Sequence, residues 1–112
     1  MSELITSGTW TVSAGHDAAF IEEWTRFTEY ASAFAGSGRF RLAHDLGSPA
    51  RYVSFAPWDD ADTAHAWKAD PEFRERIGRV LTHVDTFEPA ELEVVATVAS
   101  PFVGTSAGTS TH

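Results

Sequence analysis

The sequence predicts a single α+β domain with a ferredoxin-like βαββαβ fold, an antiparallel sheet with its helices on one face. Three observations support this fold. A segment near the start alternates between polar and apolar residues, which is typical of a strand. A long amphipathic segment, typical of a helix, comes next. Two further strand-like segments follow, with a short turn between them. Because 112 residues suit one ordinary domain rather than two, we expect these elements to share one core.

The first two elements are indicated by their hydrophobic periodicity. Residues 7–13 alternate between polar and apolar side chains and are rich in Thr, Val and Trp, which predicts strand one. The next segment carries apolar side chains at three- and four-residue steps, namely Phe20, Trp24, Phe27, Ala31 and Phe34. This spacing places them on one face of a helix over residues 17–34, and the glycines of 36–38 are expected to end that helix.

The middle of the chain predicts a β-hairpin. Residues 39–44 and 51–56 are strand-like, and the turn residues 47–49 lie between them. A second helical region follows, with Asp59 or Asp60 placed to cap it. Within that region Asp70 precedes Pro71, the order of an N-cap followed by Pro at the first helical position. We therefore expect two helices there, or one kinked helix.

The last strand is predicted at residues 91–99, which are rich in Val. The domain is accordingly assigned to residues 1–99, and the Ser-, Thr- and Gly-rich residues 100–112 to a flexible tail. The second face of the sheet is small and mixed in polarity, with Thr9 and Thr11 on strand one. A semi-apolar face of this kind favours a homodimer formed sheet to sheet.

Composition excludes several classes of partner. Asp and Glu number 16 against 8 Lys and Arg, which gives a net charge of −8. An acidic surface repels nucleic acid and anionic membranes, so neither is expected as a partner. The chain has no cysteine, which excludes disulfides and thiolate chemistry. The first residues do not resemble a signal peptide and no apolar run is long enough to span a bilayer, so a cytoplasmic location is expected.

Residues 44–58, His44-Asp45-Leu46 through Ala56-Pro57-Trp58, resemble the hairpin of the antibiotic-biosynthesis monooxygenases. The likeness continues through Ala66-Trp67 and the segment 70–73, and it covers about residues 8–99. The resemblance implies a dimeric α/β barrel, in which two ferredoxin-like sheets face each other. It also implies a small aromatic ligand held between sheet and helices, while members of the family oxidise, cyclise, degrade haem or only bind.

Haem-degrading members of the family carry an Asn on strand one, a Trp on the second helical region and a His ligand ten residues later. In this sequence Trp67 matches the Trp, but Gly8 and Ile77 occupy the other two positions. Because the axial ligand is missing, we do not expect haem to be degraded. Metal-ligand spacing and a Gly-rich phosphate loop are also lacking, so no cofactor is predicted.

Members similar to the cofactor-free anthrone oxygenases carry an Asn four residues before the Trp that ends strand three, and a Tyr six residues after it. Trp58 matches the Trp, whereas Ser54 and Ala64 stand at the other two positions. A Ser hydroxyl still donates one hydrogen bond to a substrate oxygen, where an amide donates two. The resemblance therefore makes Ser54 a candidate catalytic residue.

The remaining candidates are one histidine and three tryptophans. His44 is the only histidine on a predicted strand and suits general-base catalysis near neutral pH; the alternative is a hairpin-end histidine hydrogen-bonded beside Asp45. Trp58, Trp67 and Trp24 are candidates for binding a planar substrate, and the alternative for each is a core side chain.

Three classes of function remain open on the sequence. The first is a cofactor-independent monooxygenase acting on an aromatic, polyketide-like molecule. The second is a cyclase or isomerase that uses the same pocket, with His44 as acid and base. The third is a non-enzymatic dimer that binds a small ligand or haem. Oxygen uptake would separate the first class from the other two.

Overall fold

A computed structural model describes residues 3–34 and 39–98. Its elements in chain order are β1 (Leu4–Val12), α1 (Asp17–Ala31), β2 (Arg41–His44), β3 (Arg51–Trp58), α2 (Ala61–Ala69), α3 (Pro71–Leu81) and β4 (Val84–Glu93). The strands form one antiparallel sheet in the order β2-β3-β1-β4. The ferredoxin-like prediction is confirmed, and the second helical region is two helices.

Burial alternates along the central strand β1. Thr6, Gly8, Trp10 and Val12 are buried, whereas the residues between them are half-buried. Successive side chains of a strand point to opposite faces, so the even-numbered residues of β1 form the face that packs against the helices. This inner face positions the site described below.

Two capping aspartates separate α2 from α3. Asp60 accepts a hydrogen bond from the backbone N–H of Thr63 at 2.8 Å and begins α2. Asp70 accepts one from Glu72 N–H at 2.8 Å and begins α3, with Pro71 in its first turn. Because Asp70 has an extended backbone (φ −65°, ψ 134°), the helical path is broken at that residue. The predicted caps are confirmed, with Asp60 rather than Asp59 beginning α2.

Helix α1 is tied to the sheet at its first turn. The hydroxyl of Tyr52 on β3 donates to the carboxylate of Asp17 at 2.7 Å. The helix ends at Ala31, three residues before the predicted end, since the N–H groups of Ala33 and Phe34 bind carbonyls three residues back and tighten the last turn. The predicted glycine stop at 36–38 lies outside the described residues.

The prediction of the last strand at 91–99 is wrong for most of its length. Strand β4 is Val84–Glu93 and pairs with β1 from Val84 to Glu93, while residues 94–98 have no regular structure. Proline is disfavoured inside a central strand, but Pro89 is tolerated because β4 lies at the edge of the sheet, where a missing N–H costs little. The Val-rich segment has high β-propensity, yet the edge of β1 is already occupied.

The second face of the sheet carries side chains of mixed polarity. Phe55 is 40% exposed and Leu92 is 44% exposed, and both lie on this face by alternation and pairing. The sheet of the single chain is open, with β2 and β4 at its edges. The homodimer therefore stays a prediction. Residue 99 and the predicted tail at 100–112 lie outside the described part of the chain.

Within residues 3–34 and 39–98, none of the helices combines the length and the apolar character that crossing a bilayer requires.

Candidate functional site

A cavity of about 260 Å³ lies between the inner face of the sheet and the helices. Its volume is close to the lower end of the range for small-molecule sites. Most of its wall is apolar, and the aromatic residues that line it include Trp10, Trp24, Phe27, Phe40, Trp67, Phe73 and Phe87. Such a wall suits a small, flat, apolar ligand, since aromatic faces stack with other rings.

The sheet side of the cavity is built around Gly8. Beside it the Trp10 indole stacks on Phe87 with ring centroids 4.1 Å apart. The same indole donates its N–H to the hydroxyl of Ser54 at 2.9 Å, and that hydroxyl lies 3.5 Å from the carbonyl oxygen of Gly8. Ser54 is thus held as an acceptor by Trp10, while its own proton has only a long contact. This proton is available to a ligand oxygen at little cost.

On the helix side, Trp67 is the central ring. It is 5% exposed and contacts Phe27 at 5.5 Å and Phe73 at 4.8 Å between ring centroids. Its indole N–H is buried and has no hydrogen-bond partner among the residues described. A buried donor without a partner is costly, so an oxygen of a bound ligand would stabilise this side chain. Trp24, which is 8% exposed, lines the cavity from α1.

The structure separates Trp58 from the other two tryptophan candidates. Trp58 and Ser54 share the helix-facing side of β3, as their even spacing predicts. However, Trp58 is 1% exposed and does not line the cavity. Its ring stacks on Trp67 at 5.0 Å, and its N–H donates to Thr6 Oγ1 at 3.0 Å. Trp58 therefore supports Trp67 from behind.

His44 also lies away from the cavity. It is exposed at the end of β2, where Nε2 donates to the carbonyl of Pro49 at 2.7 Å and the ring stacks on Tyr52 at 4.4 Å. The expectation that His44 reaches the pocket is not met, because β2 ends at the opposite end of the hairpin from the residues that line the cavity. Its contacts are those of the alternative interpretation, a hydrogen-bonded hairpin-end histidine.

One charged side chain, Lys68, lines the cavity among the described residues. Its Nζ donates to Glu91 Oε2 on β4 at 2.8 Å, and His65 Nε2 lies 3.4 Å from the other oxygen of the same carboxylate. The hydrogen bonds from Lys68 and then His65 hold the pKa of Glu91 below its ordinary value. The three side chains link α2 to the edge strand across the rim of the cavity.

Sequence reasoning missed Lys68 and Phe87 as cavity residues. Lys68 directly follows a candidate tryptophan and is the only lysine in the chain, which is a signal that could have been used. Phe87 lies outside the last strand as predicted at 91–99, so the predicted alternation did not include it. With β4 at Val84–Glu93, Phe87, Pro89 and Glu91 alternate onto the helix-facing side.

The cavity residues do not fit a haem ligated by histidine. Ile77, at the position where the resemblance places the ligand, lines the cavity and offers no donor atom. No group of three or more His, Asp or Glu side chains that could hold a metal ion occurs in the described part of the chain.

Comparison with solved structures finds close likenesses in fold. The cofactor-independent oxygenase SnoaB from Streptomyces nogalater superposes with a TM-score of 0.80 at 22% identity, covering 89% of this chain and 100% of that one. A putative antibiotic biosynthesis monooxygenase from Deinococcus radiodurans gives 0.76 at 19% identity, with 87% and 97% covered. One from Nitrosomonas europaea gives 0.74 at 16%, with 87% and 94% covered.

The comparison with curated proteins found no significant match. Among protein families, the model of the antibiotic biosynthesis monooxygenases matches residues 4–78, which include β1, both capping aspartates and Trp67. This match spans more than half of the chain, and it agrees with the sheet order and the structural likenesses. The chain belongs to the antibiotic biosynthesis monooxygenase family.

Proposed function

We propose that the protein is a cofactor-independent monooxygenase that oxidises a small aromatic, polyketide-like molecule in the cavity between the sheet and the helices. The observation that carries this proposal is the aromatic cavity itself, whose lining includes the Ser54 side chain and Trp67. The indole N–H of Trp67 is buried and has no hydrogen-bond partner among the described residues. The fold likeness to SnoaB, a cofactor-independent oxygenase, supports the same class of reaction.

The proposed reaction needs little from the protein beyond binding. An electron-rich phenol or anthrone that has lost its proton to solvent is an anion, and this anion passes an electron to O2. When an anthrone CH2 becomes a quinone carbonyl, one oxygen atom enters the product and the other leaves as water, so no external reductant is required. Ser54 and Trp67 would each donate a hydrogen bond to an oxygen of the substrate, and the apolar wall would exclude water from the reactive anion.

The placement of His44 favours this reaction over the cyclase alternative. A cyclase or isomerase needs a group that accepts and returns protons at the substrate, and His44 is exposed and outside the cavity. An oxygenase whose substrate ionises readily depends less on such a group. The proposal assigns no step to His44, and it gives Trp58 a supporting role behind Trp67.

Oxygen consumption tests the proposal. With a hydroxylated anthrone as substrate, and in the presence of a metal chelator, we expect one O2 consumed for each quinone formed. Trp67→Phe removes the indole N–H but keeps a ring, and it should lower turnover by about threefold to tenfold, the usual effect of one hydrogen bond. His44→Ala is the matched control and should leave turnover unchanged.

Two results would contradict the proposal. Conversion of the substrate without oxygen uptake would favour the cyclase alternative. Tight binding with neither oxygen uptake nor conversion would favour a non-enzymatic ligand-binding dimer.

A further inference from the structure

Lys68 stands out in the cavity because it is the only charged residue among the described residues that line it. It is also the only lysine of the chain. Lys68 lines the same cavity as Trp67, which forms the centre of the helix-side wall. A cation next to an apolar aromatic wall is suited to a flat ligand that carries a negative charge at one edge.

The hydrogen bonds of Lys68 leave room for such a ligand. An ammonium group has three donors, and Glu91 accepts from Nζ at 2.8 Å. The pair is partly exposed, with side-chain exposures of 32% for Lys68 and 41% for Glu91, so it is weakened by solvent. Glu91 also has His65 at 3.4 Å as a second partner. A ligand anion that takes over Lys68 would therefore leave Glu91 with an alternative hydrogen bond.

Because the molecule as a whole is acidic, Lys68 determines whether the cavity can bind an anion. The chain carries a net charge of −8, which repels anions in general. The apolar cavity penalises an ionised oxygen that has no counter-charge. An anionic ligand is stabilised at this site only if its charge lies next to Lys68, and this requirement also sets the orientation of its ring.

We propose that Lys68 is the specificity-determining residue of the cavity and that it selects planar aromatic anions, binding the ionised oxygen by exchanging Glu91 for the ligand. The proposal rests on the proposed function for the location of the substrate, but it does not depend on oxygen chemistry. It also gives a reason why the described cavity wall has no histidine or carboxylate to act as base. A cation beside the substrate oxygen favours the ionised form of the substrate.

Two isosteric probes test the inference by binding alone. Naphthalene-2-carboxylate is ionised at neutral pH and naphthalene-2-carboxamide is neutral, and both are followed by calorimetry or tryptophan fluorescence. We expect Lys68→Met to weaken binding of the carboxylate by roughly tenfold or more, as for a hydrogen bond to a charged group, and to leave amide binding within about twofold.

Glu91→Gln keeps Lys68 and should change naphthoate affinity in the direction opposite to Lys68→Met. Removing the competing carboxylate should strengthen binding of the naphthoate several-fold and leave the amide unchanged. Arg79→Met is the charge-matched control, because Arg79 lies on α3, pairs with Glu75 at 2.9 Å and does not line the cavity. It should change the affinity of neither probe.

Equal losses for both probes in Lys68→Met would overturn the inference, since they would mean that the side chain only packs. Weaker naphthoate binding in Glu91→Gln would overturn it as well. Naphthoate selectivity that requires Lys68, together with no oxygen uptake on an anthrone, would support the inference and refute the oxygenase reaction. Failure of the wild-type protein to bind the naphthoate would overturn the inference, whereas the oxygenase reaction is tested separately by oxygen uptake on an anthrone.

Discussion

Gly8 is the residue at which added volume would disturb the site most. A Cβ atom at this position would lie 2.7 Å from Phe87 Cε1, 3.0 Å from Trp10 Nε1 and 3.1 Å from Ser54 Oγ. The stack of Trp10 on Phe87 and the hydrogen bond from Trp10 to Ser54 therefore both require that residue 8 is a glycine, which has no Cβ. The Asn that haem-degrading relatives carry at the matching position would not fit between these groups without moving them.

We predict that Gly8→Ala lowers the free energy of unfolding by about 1–3 kcal/mol, the usual cost of overpacking a core, and weakens binding of aromatic probes. Denaturant unfolding and probe titration measure the two effects. The control is Gly78→Ala in helix α3, where a Cβ would meet nothing within 4 Å. It should stabilise the protein by up to about 1 kcal/mol, because alanine is the better helix former. Unchanged stability in Gly8→Ala would show that the sheet relaxes around this position.

At the scale of elements, α1 and α3 meet at Tyr30. The guanidinium of Arg76 lies 4.8 Å from the centre of the Tyr30 ring. Burial, followed by the nearby Asp70 carboxylate, raises the pKa of Tyr30 to about 12. The hydroxyl is buried and lacks a partner with good hydrogen-bond geometry among the described residues. This helix contact therefore requires a neutral tyrosine.

We predict that stability falls as the pH rises from about 10 to about 12. The folded-state pKa of Tyr30 lies above its unfolded value of about 10, so its contribution is complete below pH 10 and is lost as the pH approaches the folded pKa. Denaturant midpoints measured across this range test the effect. Tyr30→Phe should show a shallower decline rather than none, since the pKa of Tyr52 is also raised. Equal slopes in the two proteins would mean that Tyr30 is not the group responsible.

The oligomeric state of the protein depends on the second face of the sheet. Its apolar members include Leu92 and Phe55, both partly exposed, and its polar members include Ser7, Thr9 and Thr11. A second sheet packed against it would remove these apolar side chains from water.

We predict that the protein is a homodimer in solution, with a mass of about twice 12.2 kDa by light scattering at micromolar concentration. Leu92→Glu places a charge on the second face and should shift the mass towards the monomer. Leu46→Glu makes the same chemical change at a side chain that is 94% exposed in the hairpin turn, and it should leave the dimer intact. A monomeric wild-type protein, or equal effects of the two variants, would be inconsistent with a sheet-to-sheet dimer.

Local signals in the sequence determined most of the elements. The apolar periodicity of α1, the hairpin turn at 47–49, and the caps Asp60 and Asp70 were all predictable. Each of these features depends on residues only a few positions apart, so a short stretch of sequence is enough to predict it. The resemblance in residues 44–58 also identified the family, and even spacing along β3 correctly placed Ser54 and Trp58 on one face.

Only the tertiary structure decided which residues meet at the cavity. Strand β4 is Val84–Glu93 rather than 91–99 because pairing with β1 along one edge outweighs the β-propensity of the Val-rich segment. Trp67 lines the cavity while Trp58 lies behind it, and His44 is outside because β2 ends beside the hairpin turn, away from the hairpin residues that line the cavity. Lys68 acquires its position through Glu91, a residue 23 places away in sequence. Such contacts depend on long-range packing, which local patterns in the sequence do not specify.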